Sequence, residues 1–451
     1  MNAPELDPIV ALRRDIHAHP ELCFEERRTA DVIAAQLATW GIEVHRGLGR
    51  TGVVGTIRGT APGGSGRAVG LRADMDALPM TEHNTFAHAS RHAGRMHACG
   101  HDGHVAMLLA AAQQLAAQRD SFAGTVHLVF QPAEEGGGGA REMMADGLFE
   151  RFPVDAIFGM HNWPGLPAGD FAICPGPIMA SSNEFLIRIT GKGSHAALPH
   201  NGVDPVPIAC QMVQAFQTII TRNKKPIDAA VISVTMIHTG EATNVVPDDC
   251  EIQGTVRTFT LDVLDLIERR MREIAEHTAA AFGATVEFEF QRNYPPTINH
   301  RAEAAFARDV MRELVGPARV HEFEPTMGAE DFSFFLQGKA GAYFMIGNGD
   351  GTAVEAAADR VLQSSNEPSE SGHVYTVRAE LEGMRIKHVF DRMLGAWREA
   401  GHRLVSLADY FEALPDKNLP RHEVGVEPLP GHSGTLAAQG PAFLADWQAS
   451  A

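Results

Sequence analysis

The chain has 451 residues, too many for one ordinary core; at roughly 150 residues per domain it allows about three units. Hydrophobic residues at 44% and charged residues at 21% are those of a globular protein rather than a disordered or fibrous one. A net charge of −18, from 38 basic against 56 acidic side chains, argues against nucleic acid or an anionic membrane as partner, and leaves the substrate open.

The first part of the chain reads as α/β. Strand character appears in AVGLRAD (68–74), TVHLVFQP (125–132) and AIFGMHN (156–162). Between the first two, GHVAMLLAAAQQLAAQR (103–119) places Val105, Leu108, Leu109, Ala112, Leu115 and Ala116 on one helical face, with Asp102 and Gly103 where the helix is expected to begin. Strands alternating with helices imply a mostly parallel sheet covered on both faces. The rhythm then changes. EFLIRIT (184–190) is a strand, and DPVPIACQMVQAFQTIITRN (204–223) a helix with prolines confined to its first turn. AAVISVTMI (229–237) and CEIQGTVRTF (250–259) are strands, 260–282 is a helix and ATVEFEF (284–290) a closing strand. The order βαββαβ is that of a ferredoxin-like unit inserted into the α/β domain. The expected organisation is an α/β domain over 1–182 and 294–351, an inserted domain over 183–293, and an atypical segment over 352–451. YFMIGNGDG (343–351) reads as a strand and turn, and 382–401 as an amphipathic helix. The prolines and glycines beyond Pro415 predict irregular chain.

Chemistry gathers at the strand ends. Asp74 and Asp76 follow one strand, Glu134 and Glu135 a second, and His161 ends a third, while Cys99 and His101 stand at the head of the helix. Ligands of open α/β sheets bind at the carboxyl ends of the strands, so four segments bring Cys, His, Asp and Glu to one edge. Imidazole and thiolate suit zinc or cobalt, and carboxylates also admit manganese. Of two adjacent glutamates, one can bind an ion while the other serves as general base, which is hydrolytic chemistry. Two alternatives stand beside this reading. Cys99 could act as a nucleophile with a histidine, although the crowded carboxylates would raise its pKa. HACGHDGH (97–104) could also be a solvated, purely structural turn. The glycines GGGG (136–139) fit a close backbone approach better than a phosphate cradle, since two carboxylates flank them. GKGSHA (191–196) matches a dinucleotide fingerprint but lacks the acidic residue about 20 positions on, so that match is set aside. The five cysteines, odd in number and scattered, form no disulfide framework. No leader peptide and no run of about 18 apolar residues is visible, which makes the cytoplasm the expected compartment.

RADMDALP (72–79), MHACGHDGH (96–104), FQPAEEGGGGA (130–140), MHN (160–162), GSHAALPH (193–200), NVVPD (244–248) and GAEDFSFF (328–335) resemble, in that order, one branch of the aminoacylase/carboxypeptidase metallopeptidases. The branch is that of hippurate hydrolases and auxin-conjugate (N-acyl amino acid) amidohydrolases, and the resemblance covers about residues 5–350. It implies an α/β catalytic domain with a ferredoxin-like lid that also makes a homodimer. It also implies two divalent ions (zinc, manganese or cobalt) held by Cys99, His101, Glu135 and His161. Glu134 is then the base that takes a proton from the attacking water, and Asp76 orients a site histidine. His195 on the lid would stabilise the oxyanion, and Asn244 and Arg257 would hold the carboxylate of a small N-acyl amino acid substrate. His104 is assigned only a supporting place. No partnership with nucleic acid or membrane is implied.

The end of the chain departs from the pattern. The family's last metal ligand, a histidine in an HNPxYDF-type stretch, is absent after GNGDG (347–351), and His373 is the one nearby substitute. Residues 365–434 instead resemble the end of a polysaccharide-deacetylase-type deformylase, with Arg378 where that family has histidine. The expected activity is therefore metal-dependent hydrolysis of N-acyl amino acids, and the competing expectation is a dimeric, metal-binding remnant that turns nothing over.

Overall fold

The computed structural model describes residues 3–349 except 64, 65 and 85, then Arg392, Gly395, Ala396, Arg398, Glu399 and Ala400, and strands at 421–428 and 435–443. The chain divides into two compact units, Met1–Met80 with Ser90–Gly347, and Thr81–Ala89 with Asn348–Ala451.

In the first unit, helices α1 (Ala3–Ala18) and α2 (Arg27–Thr39) precede a hairpin of β1 (Glu43–Leu48) and β2 (Gly52–Arg58). β3 (Ala68–Asp74), α3 (His101–Ala117), β4 (Thr125–Gln131), α4 (Gly139–Ala145), α5 (Leu148–Arg151) and β5 (Ala156–Trp163) follow. Short strands β6 (Phe171–Ile173) and β7 (Gly176–Met179) lead to β8 (Ser182–Thr190), β9 (Ser194–His195), α6 (Pro205–Thr218), β10 (Ala230–His238) and β11 (Val245–Val246). Next are β12 (Asp249–Thr258), α7 (Leu261–Ala281) and β13 (Thr285–Tyr294), then β14 (Thr297–Asn299), α8 (Arg301–Val315), β15 (Val320–Glu322), α9 (Phe332–Gly338) and β16 (Gly341–Gly347).

The large sheet has the order β1-β2-β4-β3-β5-β16-β6-β15. Its central neighbours β4/β3, β3/β5 and β5/β16 are parallel, while β1/β2, β2/β4 and β16/β6 are antiparallel. Alternate side chains leave opposite faces. Ala73, Leu128 and Phe130 meet Val105 and Leu109 of α3 on one face. Val129, Ile157, Tyr343 and Met345 meet Phe332 and Phe335 of α9 on the other. The α/β expectation holds. The second sheet, β10-β12-β8-β13, is antiparallel throughout and carries α6 and α7 on one face, the strand order of a split βαβ unit. Asp204 and Thr260 cap those helices with side-chain oxygens, accepting from Val206 N and Val263 N.

Several boundaries differ from expectation. α3 begins at His101 rather than at Gly103, because Gly100 ends the preceding loop in the left-handed region (φ 93°) and Asp102 falls inside the first turn. The helix expected over 204–223 is α-helical only to Thr218 and finishes as a π-turn, Ile219–Asn223. In the second unit the tail is not wholly irregular: β17 (Arg421–Pro428) and β18 (Thr435–Phe443) pair as an antiparallel ribbon. A two-stranded ribbon has a free edge on each strand, so proline is tolerated there. Of the helix expected at 382–401, Arg392, Gly395, Ala396, Arg398 and Glu399 are helical and the other residues lie outside those described. Among the described residues no helix is long and apolar enough to cross a membrane.

Candidate metal centre

The carboxyl ends of β3, β4 and β5 and the head of α3 converge. His101, fully buried in the first turn of α3, has Nδ1 3.2 Å from Asp76 Oδ1. Its other nitrogen, Nε2, lies 3.9 Å from Glu135 Oε1, and neither of these two buried atoms has a hydrogen-bond partner. Cys99 Sγ and His161 Nε2 are 3.3 Å apart, while His161 Nδ1 is held by the carbonyl of Asn162 at 2.7 Å. Each histidine thus spends Nδ1–H on an oxygen and turns Nε2 to the same space, the arrangement that prepares an imidazole for a metal. Among the described residues four sets of possible ligand atoms lie within 4.8 Å of one another: Cys99 with His101 and His161, His101 with Glu134 and Glu135, Asp74 with His101 and His104, and Glu134 with Glu330 and Asp331. A tetrahedral ion with bonds of roughly 2.0–2.3 Å separates its ligands by roughly 3.3–3.8 Å. The donors present, and the two buried atoms without partners, fit a divalent ion.

His104, grouped with Asp74 and His101, has no ring nitrogen to spare. Its Nδ1 donates to Asp74 Oδ1 at 2.6 Å, and its Nε2 accepts from Asn162 N at 2.9 Å, so both nitrogens are engaged. Asp76 is committed too, since its second oxygen accepts from Glu135 N at 2.9 Å.

Glu134 is buried beneath this cluster, with Asp331 N directed at its Oε1 (3.4 Å) and Tyr294 donating to its carbonyl at 2.5 Å. Burial pushes its pKa well above the usual carboxylate range, and Glu330 and Asp331 push the same way. Burial likewise raises Glu135 and the Cys99 thiol, so the expected effect on the thiol is present with burial as its main cause. Burial brings His161 down to about 3, helped by His104. Asp74 and His101 go against their burial. Arg72, His101 and His104 hold Asp74 well below its usual range, and Asp74 and Asp76 hold His101 well above.

The glycine run works by close approach. A Cβ on Gly137 would stand 2.2 Å from Cys23 Sγ, and one on Gly139 1.7 Å from the carbonyl of Pro132. Without side chains there, the loop after β4 folds back tightly enough to turn Glu134 inward.

Three sequence candidates lie apart from this cluster. His195 is exposed on β9, opposite Val245 of β11, and its Nδ1 accepts from Ala197 N. Asn244 is exposed beside it, its carbonyl accepting from Ala196 N. Arg257, half-buried near the end of β12, donates weakly to Ser181 O at 3.4 Å. His373 lies outside the described residues, as does most of 365–434.

Sequence reasoning gave no role to Arg72, Glu330 or Asp331. Arg72 is completely buried, with Nε on Gln131 Oε1 (2.8 Å), Nη1 on Asp74 Oδ2 (2.6 Å) and Nη2 on Glu330 Oε1 (2.8 Å) and Asp331 Oδ1 (3.1 Å). The available signal was the arginine itself. A charge in the middle of a strand buried on both faces must have counter-charges.

Soft and hard donors around a buried carboxyl, at the carboxyl edge of an α/β sheet, define a metal-dependent hydrolase. Residues 70–362 match the model of peptidase family M20/M25/M40. The chain is 43% identical over 345 residues to thermostable carboxypeptidase 1 of Saccharolobus solfataricus, covering 76% of this chain and 86% of the relative. It is 40% identical over 340 residues to the hippurate hydrolase of Campylobacter jejuni, covering 75% of this chain and 87% of the relative. Among solved structures it resembles the Bacillus subtilis YxeP protein, described as a dinuclear metal binding peptidase of the M20 family, with a TM-score of 0.68, 32% identity and coverage of 88% and 98%. The chain belongs to peptidase family M20/M25/M40, and it is a metal-dependent hydrolase of amide bonds. The comparisons give no support to the deformylase reading of residues 365–434.

Proposed function

We propose that this enzyme cleaves the amide bond of N-acyl amino acids, releasing a carboxylic acid and a free amino acid. One observation carries the reading: the buried carboxyl of Glu134 groups with His101 and Glu135, His101 groups in turn with Cys99 and His161, and His101 Nε2 and Glu135 Oε1 are left without partners. The likeness to a hippurate hydrolase supports the substrate class. We assign Cys99, His101, Glu135 and His161 as ligands of two divalent ions, zinc, manganese or cobalt. Such ions supply Lewis acidity to the scissile carbonyl and to the attacking water.

Glu134 is the base in this reading. Its Oε1 faces Asp331 N, so Oε2 is the oxygen that takes a proton from water and passes it to the departing nitrogen. Burial beside Glu330 and Asp331 raises its proton affinity, which suits both halves of that transfer. Asp76 fixes the His101 ring so that Nε2 faces the centre. His195 serves the oxyanion, and Asn244 and Arg257 the substrate carboxylate, with residues 183–293 acting as lid and dimerisation domain. Because His195 and Asn244 are exposed, we infer that they act across a homodimer. β10 is an edge strand with Met236 42% and Ile237 48% exposed, which supports a pairing surface there.

The test is amine release from hippurate and a panel of N-acetyl amino acids, with zinc, manganese or cobalt, against a chelated sample and Glu134→Gln. The expected result is metal-dependent turnover that falls at least about a thousandfold in Glu134→Gln while bound metal is retained. Folded protein that binds metal yet cleaves nothing would overturn the proposal and favour the remnant expected from the missing last histidine. Turnover that survives chelation and dies on thiol alkylation would favour a Cys99 nucleophile.

A further inference from the structure

A cavity of about 570 Å3 lies at the end of β5, lined by Trp163, Leu166, Phe323, Pro325 and Met327 among others. That volume is in the range of roughly 300–1,000 Å3 that holds small organic ligands. Two of its lining residues stand close along the chain to residues of the metal centre. Trp163 follows His161 by two positions on the same strand, so its side chain leaves the same face about 6–7 Å further along. Met327 stands three positions before Glu330, which clusters with Glu134. The apolar lining is organised: the rings of Trp163 and Phe323 meet edge to face, 5.1 Å between centroids at 87°. A third flat ring would find both an aromatic edge and a face there.

The lining also decides which end of a substrate enters. It contains neither lysine nor arginine among the described residues. His321 is engaged with Asp170 at 2.8 Å, Glu322 pairs with Arg308 at 3.3 Å, and Glu324 adds negative charge at the rim. A carboxylate is disfavoured in such a place, whereas a neutral aryl group is not.

We propose that this cavity is the acyl-group pocket and that Trp163 and Met327 make the enzyme selective for aromatic over short aliphatic acyl groups. The proposal rests on the N-acyl amino acid reading given above, and deepens it. The experiment compares kcat/KM for the N-benzoyl and N-acetyl derivatives of one amino acid in the metal-loaded full chain, in Trp163→Ala and in Met327→Ala. The benzoyl-to-acetyl ratio should fall roughly 10- to 100-fold in Trp163→Ala and less in Met327→Ala. An equal loss on both substrates, as a general folding or metal defect would give, overturns the assignment, as does an unchanged ratio. A second arm measures benzoate and acetate binding to wild type, Trp163→Ala and the milder Trp163→Leu by calorimetry. Benzoate should bind more tightly than acetate, and the preference should shrink with the size of the replacement. If no N-acyl amino acid is cleaved but this benzoate preference depends on Trp163, the activity falls and the pocket stands. Benzoate binding that ignores residue 163 removes the pocket whatever the turnover.

Discussion

Replacing Arg72 by methionine should cost more stability than any other single change near the centre. The variant keeps most of the side-chain volume but removes four charge-assisted or polar contacts, to Asp74, Gln131, Glu330 and Asp331. Three carboxyl groups then share a dry interior with no cation between them. Breaking a buried ion pair by deleting one partner costs about 3–5 kcal/mol, and a network of this kind belongs at the upper end. For a unit of this size that is a fall in Tm of the order of 4–7 °C. Lysine should not rescue it, because one ammonium cannot span acceptors that a planar guanidinium reaches on three nitrogens. The loss should also depend on pH in a definite sense. Without Arg72, Asp331, which burial already pushes up to about 8, rises further, and Asp74 loses the guanidinium that helps to hold it well below the usual carboxylate range. A raised folded pKa gives stability that is complete below the unfolded value and is lost as pH rises through the folded one. The deficit of Arg72→Met relative to wild type should therefore be smaller at pH 5 than at pH 8, measured by urea unfolding at both. A deficit under about 1 kcal/mol, or one that shrinks as pH rises, would refute the reasoning.

Asp76→Asn can keep only one of its two contacts, to His101 or to Glu135 N, and should weaken metal retention about 10- to 100-fold in chelator competition; unchanged retention would remove Asp76 from its orienting role. Gly100→Ala meets both a φ of 93° and an Asn162 oxygen 2.2 Å from the new Cβ, so it should lose at least about 2 kcal/mol in urea unfolding and lower activity with it. Glu26, wholly buried, accepts from Phe24 N, Ala133 N and Thr51 Oγ1, and burial pushes its pKa up from 4.5 to about 7. Its contribution is complete below pH 4.5 and lost as pH rises through about 7, up to about 3 kcal/mol. Glu26→Gln can keep these bonds, so its stability should fall less over that interval than that of wild type.

The parts of the site that could be read from sequence were those written locally. Asp76, Glu134 and His161 each end a hydrophobic run, and a strand end is visible in the run itself. Cys99 and His101 stand just before a helical period, which placed them at a helix head although the start was two residues out. That error has a physical source: Gly100 stops the loop by its backbone conformation, while Asp102 and Gly103 look like a cap and are not one. The Arg72 network was illegible because its partners Glu330 and Asp331 are 258 and 259 positions away, and no local period records a contact that distant. The inserted sheet was legible almost strand for strand, since β8 and β12 alternate buried with more exposed residues along their length. The tail ribbon was not, because proline and glycine mark both irregular chain and free strand edges.

β16 is the last strand of the large sheet to be made, yet it lies inside the sheet, between β5 and β6. During synthesis the order of events is therefore awkward. Until residues 341–347 have emerged, β1 to β5 and the β6–β15 pair are separate pieces, each with an open edge able to pair with another chain. Arg72 must likewise wait for residues 330 and 331 before two of its counter-charges exist. A nascent chain stopped before Glu330 is thus an interrupted sheet with Arg72 short of two partners, and one stopped between Asp331 and Gly341 has those partners but still lacks the strand that joins the two pieces, which makes the final strand of the sheet the step that commits the enzyme to a finished centre.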